Sequence, residues 1–520
     1  MIIRSPFSDF PIPEMSLASF LLQRTQHLGS KPALIDASSG RTLTYAQIAD
    51  AIPRVAAGLA RRGFQPKDVV AFCCPNLPEF AIAFHAVAML GGITTTINPL
   101  YTVHEMNWQL NDSRAKCVIT VAPLLEKIRE AAQGTEVTEI FVFGEAPGAT
   151  PFAELIQGPS TPPAVHINPA EDVVALLYSS GTSGLPKAVM LTHRNLIANM
   201  ISQGIAAHAF TEEDTAISVL PFFHVAGLAA VLEQALFKGM TLVVLPRFDL
   251  EHFLQAIQTH RVTFAPLVPP AVLALAKHPV VDRYDLSSLK WIVAGAAPLG
   301  EDVARACAAR LNCPISQGYG MTEASGLTHF SMDAMERGRL ASVGTALPGL
   351  EGQIVDLETG EPVGPGQTGE LWLRGPQVMK GYLNQPDAVD EQGWYRTGDI
   401  GHTTEDGFVF IMDRVKELIK YKAFQVAPAE LEAILNSHPA VAEAAVIPSP
   451  DLEAGEVPKA FVVQRSPVSP EELLAFVAER VAPHKKVRQL EFIDQIPKNA
   501  GGKILRRLLV ERERGTKTSG

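Results

Sequence analysis

Cysteine is scarce in this chain. The five present, Cys73, Cys74, Cys117, Cys307 and Cys313, form no Cys-x-x-Cys pair and are odd in number, which argues against a disulfide framework or a cysteine zinc site and for buried thiols in a reducing compartment. Basic charge is short as well. Lys and Arg number 44 against 55 Asp and Glu, a formal net charge of -11, which speaks against adhesion to nucleic acid or to anionic membrane. Long apolar runs are missing too. The most apolar stretch, 80–97, is interrupted by His85 and two adjacent glycines, so it reads as a buried helix running into a strand and not as a membrane span. The N-terminal MIIRSPFSDFPIPEM lacks the basic segment and apolar run of a secretory signal, and the C-terminal GTKTSG is no peroxisomal address. The expectation is a cytoplasmic protein without integral membrane contact, and only residues 515–520 read as a disordered tail.

What is present is the composition of a folded protein. Hydrophobic residues make up 47% and charged residues 19% of 520 positions, more chain than one hydrophobic core accommodates. LTYAQIADAIPRVAAGLARRGF has the periodicity of an amphipathic helix with Thr44 as its cap, and DVVAFCC follows as a buried strand. The rhythm returns in KCVITV, EIFVFG, MTLVVLP and LKWIVAG, which predicts an α/β body of largely parallel sheets covered on both faces. Between 345 and 410 short strands alternate with Gly, Pro and Asp, the texture of a small β-barrel-like portion. After Asp413 the pattern helix, strand, strand, helix, strand describes a compact α+β unit. The expected division is a large N-terminal domain over 1–412 and a small mobile C-terminal domain over 413–520.

The strongest chemical signal is YSSGTSGLPKAVMLTHRN, residues 178–195, between the apolar run VVALL and a helix predicted from His193. Ser179, Ser180, Gly181, Thr182, Ser183 and Gly184 concentrate small residues and hydroxyls in one loop, where N–H groups and side-chain donors can surround phosphate oxygens, and Lys187 adds a charge. A flexible linker would share the composition but not the apolar flanks or the single lysine after Pro186. Nor is this the nucleotide-kinase loop, because Ala188 follows Lys187 where that motif needs Ser or Thr.

Together with five further segments, this loop resembles the adenylate-forming superfamily of acyl-CoA synthetases, adenylation domains and beetle luciferases, most closely its 4-coumarate–CoA ligase branch. The others are LPFFHVAGL, QGYGMTEAS, GWYRTGDIG, DRVKELIKYKAFQVAPAELE and PKNAGGKILRR, in the family's order along nearly the whole chain. The resemblance implies ATP, Mg2+ and coenzyme A as the small molecules used. It gives Tyr319 an adenine to stack on, Gln317 and Gly318 a place beside the nucleotide, Thr322 a phosphate oxygen and Glu323 a share of the magnesium. Asp399 and Arg414 match the ribose contacts, an acceptor-only carboxylate beside a rigid fork of donors. Lys503, in a Gly-Gly-Lys turn, matches the mobile cation that assists carboxylate attack on the α-phosphorus; by its residues alone it reads equally as a solvated basic tail. His224, by itself a packed core histidine, matches a residue at the acyl pocket that guards the path of carboxylate or thiol. Asp413 matches a hinge between two orientations of the small domain, one presenting Lys503 and the other the loop from Lys420 to Gln425, with Lys416 and Lys422 beside it. Ala423 departs from the family, replacing a glycine beside the pantetheine tunnel, and Arg247 matches a basic residue near the coenzyme A phosphates.

Ala226 stands where plant coumarate ligases carry a Tyr that contacts the phenol, and Ala230 where they carry a small hydroxyl residue. With Gly295, Ala296, Gly318 and Leu327 these positions imply an apolar acyl pocket, for a fatty acid or a 4-coumarate-like aryl acid. The expectation is an AMP-forming acid–thiol ligase, monomeric or homodimeric. The alternatives are a free-standing enzyme that loads a carrier-protein thiol and a non-catalytic nucleotide-binding protein on the same fold.

Overall fold

Strands that are apolar on both faces, such as Val69–Cys73, persist only where helices cover both sides. The computed structural model describes residues 2–158, 160–179, 186–384, 388–414, 417–421, 424–451, 454–481, 483–498 and 504–517, and the side chains of all of these except Lys420, Phe424, Gln425, Gly455 and 514–517. In it, an eight-stranded sheet runs in the order Gly381–Tyr382, Lys187–Thr192, Val173–Ser179, Ile93–Thr96, Val69–Cys73, Ala115–Val121, Glu139–Phe143 and Thr150–Pro151. From Val173–Ser179 onward it is parallel, and the two strands before it are antiparallel. Helix Tyr45–Arg61 begins as its sequence predicts. The Thr44 side chain accepts from Gln47 N and the Gln47 side chain accepts from Thr44 N, which satisfies two helix-end donors at once. The stretch 80–97 is the buried helix Glu79–Met89 running into strand Ile93–Thr96.

A second sheet of nine strands has a parallel centre formed by Ile315–Met321, Trp291–Ala294, Phe264–Leu267, Thr215–Ser218, Thr241–Val244 and Pro32–Asp36. The segment rich in Gly and Pro folds as an antiparallel five-stranded sheet, Ile2–Arg4, Glu351–Val355, Gly369–Arg374, Tyr395–Thr403 and Val409–Arg414. The strand at its edge comes from the N-terminus, which carries no strand pattern of its own.

Beyond Asp413, strands Ile419–Tyr421, Phe424–Val426, Val441–Asp451, Gly455–Gln464 and Gln489–Phe492 form a sheet. With helices Pro428–Ser437 and Pro470–Ala478 it encloses a core including Ile419, Leu431, Val446, Val462 and Leu473. The tail corrects one expectation. Helix Arg506–Lys517 continues through 515–517 instead of ending in disorder at 515; Arg506 is paired with Glu432 at 2.6 Å and Leu509 is buried, so the first turns are anchored. All five cysteines are free and buried, and burial pushes the thiols of Cys73, Cys307 and Cys313 up to about 12. Among the described residues no helix is long and apolar enough to cross a membrane.

Candidate active site

Strands Tyr395–Thr403 and Val409–Arg414 pair with Asp399 directly opposite Arg414, the arrangement in which cross-strand side chains meet. Arg414 Nε lies 3.1 Å from Asp399 Oδ1. The other carboxylate oxygen, Oδ2, accepts the hydroxyl of Tyr319 at 2.5 Å. The turn ahead of Asp399 is built for this: Gly398 has φ +72, its N–H donates to Glu370 Oε1, and Asp399 N donates to Thr397 Oγ1. Burial, and then the Asp399 charge, push the Tyr319 phenol well above its ordinary range, so it stays a donor. A carboxylate with two fixed donors on one side is an acceptor suited to vicinal hydroxyls on the other.

Tyr319 is held by a tight hairpin, Ile315–Met321 against Gly326–Phe330. A Cβ on Gly320 would lie 2.1 Å from Gly326 O, so only glycine permits this approach. Gln317 is braced internally: its amide donates to Leu299 O and Leu340 O and accepts from Leu299 N, so both of its N–H donors are spent on backbone carbonyls.

In the turn of this hairpin, Glu323 Oε1 accepts the hydroxyl of Tyr382 at 3.0 Å, and the Tyr382 hydroxyl in turn lies 3.2 Å from that of Tyr395. Lys187 Nζ stands 4.9 Å from the centre of the Tyr382 ring, while its backbone pairs with Ser179 at the root of the serine- and glycine-rich loop. Among the described residues Ser179 Oγ is buried without a hydrogen-bond partner. No group of three or more His, Cys, Asp or Glu that could hold a metal occurs among the described residues. Glu323 alone, with one oxygen free of described partners, fits an ion such as Mg2+ that takes one carboxylate and otherwise relies on substrate phosphates.

On the acyl side, His224 opens the helical segment Val225–Gly227, which lies against strands Ile315–Met321 and Gly326–Phe330. The chain continues as a π-helical turn over Leu228–Glu233 that holds Ala230. Desolvation lowers the His224 imidazole to about 4, so it is neutral at neutral pH. Gly295 faces open space apart from the Gly318 carbonyl, 3.3 Å from where its Cβ would be, and Leu327 Cδ1 lies 2.9 Å from the same point on Gly318. Ala296 adopts φ +69, a conformation alanine rarely takes. Gly295, Gly318 and Leu327 are therefore brought together, and the segment with Ala226 and Ala230 packs against the same strands. Arg247 is exposed in the loop after strand Thr241–Val244.

Ser180, Gly181, Thr182, Ser183, Lys416, Lys422, Ala423 and Lys503 lie outside the described residues, and Lys420 and Gln425 are described only as backbone, facing each other across strands Ile419–Tyr421 and Phe424–Val426. Thr322 begins the short helical turn that carries Glu323. Sequence reasoning missed Tyr382 and the pairing role of Tyr395. A tyrosine after a glycine in a two-residue strand carries no signal of its own.

Comparison with known proteins adds to this geometry. The model for the AMP-binding enzyme matches residues 21–383, and that for the AMP-binding enzyme C-terminal domain matches 430–503. The chain is 42% identical to 4-coumarate–CoA ligase 3 of Oryza sativa subsp. japonica over 98% of its own length and 94% of the relative's. Among solved structures it is similar to the anthranilate CoA ligase AuaEII in complex with anthranoyl-AMP, with a TM-score of 0.89 at 26% identity, covering 97% of this chain and 98% of that one. It is also similar to the O-succinylbenzoate coenzyme A synthetase of Bacillus subtilis in complex with ATP and magnesium ion, with a TM-score of 0.83 at 30% identity, covering 96% and 100%.

Proposed function

The chain belongs to the family of AMP-binding enzymes, and from that premise we propose how its residues carry an AMP-forming acid–thiol ligation. The enzyme activates a carboxylic acid with ATP and transfers the acyl group to coenzyme A. In the first half-reaction a carboxylate oxygen attacks the α-phosphorus, the bond to the β,γ-pyrophosphate breaks, and the acyl-adenylate forms. In the second, the thiol sulfur attacks the acyl carbonyl carbon and AMP leaves with the electron pair.

Asp399, oriented by Arg414 and Tyr319, binds the ribose hydroxyls, and the Tyr319 ring supports adenine. Ser179, Ser180, Gly181, Thr182 and Ser183 cradle the phosphates beside Lys187 and Thr322. Glu323 holds Mg2+, which when bound neutralises phosphate charge. Lys503 reaches the carboxylate and the α-phosphate, where a fixed positive charge counts most as charge develops. His224, kept neutral by desolvation, closes the acyl site without placing a second cation beside the carboxylate. Residues 413–520 move as a unit about Asp413 relative to 1–412, and the second orientation brings Lys420 and Gln425 to the thioester site, with Lys416, Lys422 and Ala423 nearby and Arg247 meeting the coenzyme A phosphates. The observation that carries this reading is the joint hold of Tyr319 and Arg414 on Asp399, one strand end away from Glu323.

The acid is hydrophobic. Ala226, Ala230, Gly295, Ala296, Gly318 and Leu327 offer no polar side chain, which favours a fatty acid or a bulky aryl acid over a small polar one. The five buried thiols support a reducing, cytoplasmic setting, where the enzyme works as a monomer or homodimer. The test is a panel of benzoate, 4-coumarate and medium- and long-chain fatty acids, assayed for AMP release and thioester with and without coenzyme A. Acid-dependent AMP and thioester are expected. AMP and pyrophosphate without thioester would instead indicate a carrier-protein thiol as acceptor, and no acid-dependent AMP at all would overturn the assignment.

A further inference from the structure

We propose that Tyr382 is a positioning residue for adenylation: its hydroxyl aims Glu323 at the metal and its ring face keeps Lys187 ready for the phosphates. This rests on the proposed function, but it concerns a residue which that function does not need to name.

An ionised carboxylate only accepts, and a phenol has one proton to give. Tyr382 therefore spends its proton on Glu323 Oε1, 3.0 Å away, so the 3.2 Å contact with Tyr395 must be a donation from Tyr395 to the Tyr382 oxygen. The result is a directed relay, Tyr395 to Tyr382 to Glu323. Each bond in such a chain polarises the next. The relay engages only Oε1, and among the described residues Oε2 has no partner, so the carboxylate is fixed in orientation with one oxygen left for a cation.

Lys187 is held by the ring of the same tyrosine. Its ammonium has no carboxylate within ion-pair distance among the described residues and instead sits 4.9 Å from the Tyr382 ring centre. An aromatic face attracts a cation without cancelling its charge. A lysine stored on an acid would have to break an ion pair before meeting pyrophosphate; one stored on a ring does not.

The backbone holds Tyr382 between the two groups. It pairs with Val189 in the strand that begins with Lys187, Leu383 N donates to Ala188 O at 2.9 Å, and Met379 N donates to Glu323 O at 2.8 Å. One short strand thus ties the phosphate-side lysine to the metal-side carboxylate.

Tyr382→Phe keeps the ring and removes the hydroxyl; Tyr382→Leu removes both. Mn2+ binding in the presence of a non-hydrolysable ATP analogue, followed by the free-ion signal in electron paramagnetic resonance, is measured beside ATP–pyrophosphate exchange and thioester formation from a supplied acyl-adenylate. In Tyr382→Phe the Mn2+ concentration for half-saturation is expected to rise about fivefold while the KM for ATP at saturating metal stays within about twofold. In Tyr382→Leu the KM for ATP should also rise about tenfold. Thioester formation from the adenylate should change less than about twofold in both. An unshifted Mn2+ midpoint in Tyr382→Phe, or equal losses in both half-reactions, would overturn the proposal. Metal binding does not depend on the acid, so this readout judges Tyr382 separately from the reading of the enzyme as an acid–thiol ligase, which falls if wild type shows no acid-dependent exchange.

Discussion

At Asp399 a carboxylate that the sequence marks only as a residue after glycine receives a phenol from one strand and a guanidinium from another. Its kind and the guanidinium beside it were legible from the motifs, Arg414 lying on the next strand along the chain, while the phenol comes from Tyr319, 80 residues earlier. Gln317 shows the converse: its place in QGYGMTEAS suggests a ligand, and the fold spends its amide on backbone groups of Leu299 and Leu340. The acyl pocket is tested at a single residue. Ala226 is half-buried on the segment that packs against the Gly318 and Leu327 strands. Ala226→Tyr should crowd long acyl chains and offer a phenolic acid a hydrogen bond worth about 1 kcal/mol. The ratio of kcat/KM for a fatty acid over 4-coumarate is expected to fall by about tenfold or more. An unmoved ratio would remove Ala226 from the pocket.

The element that presents His224 is a turn gripped from several sides. Asn76 donates to Leu220 O at 2.9 Å and accepts from Phe222 N at 2.7 Å, Thr96 Oγ1 donates to Phe223 O at 2.7 Å, and His224 N closes on Pro221 O at 3.0 Å. Gly227 lies over this turn, and a Cβ there would stand 2.1 Å from Pro221 O and 2.7 Å from Leu220 O. With backbone on both sides and side chains clamping it, the turn has nowhere to yield. Gly227→Ala is therefore expected to cost about 2–3 kcal/mol in chemical unfolding and to lower kcat/KM by about tenfold or more through displacement of His224. Wild-type stability would show that the turn is softer than its contacts imply. Nothing in HVAGL announces this requirement, because a glycine between Ala226 and Leu228 reads as helix as readily as turn.

Across the whole molecule the question is how a lysine near the C-terminus serves one half-reaction and spares the other. Asp413, named from its motif as the hinge, is buried, and its carboxylate accepts from Arg414 N at 2.8 Å and from Ala429 N at 2.9 Å, so it joins the end of the five-stranded sheet to the first turn of helix Pro428–Ser437. Burial raises its carboxyl above the usual range. If residues 413–520 turn about this point, Lys503 is needed only in the first orientation. Lys503→Ala is expected to lower acid-dependent ATP–pyrophosphate exchange by about a hundredfold or more and to leave thioester formation from a supplied acyl-adenylate within about threefold. Equal loss of both steps would separate Lys503 from that role.

By itself the sequence determined the α/β class, the order of helices and strands, the family and the residue types that meet ATP. Those follow from apolar periodicity, caps such as Thr44 and loop chemistry, all of which act over a few neighbours along the chain. Only the tertiary structure decided that Asp399 is shared by Tyr319 and Arg414, that Gln317 is a strut, that Gly227 has no room for a methyl group, and that Tyr382 stands between Glu323 and Lys187. Each of these is a contact between separate elements, or between a turn and the helical segment that follows it, set by strand register and close packing, and no pattern along one element encodes which neighbouring backbone will fill the space beside a given side chain.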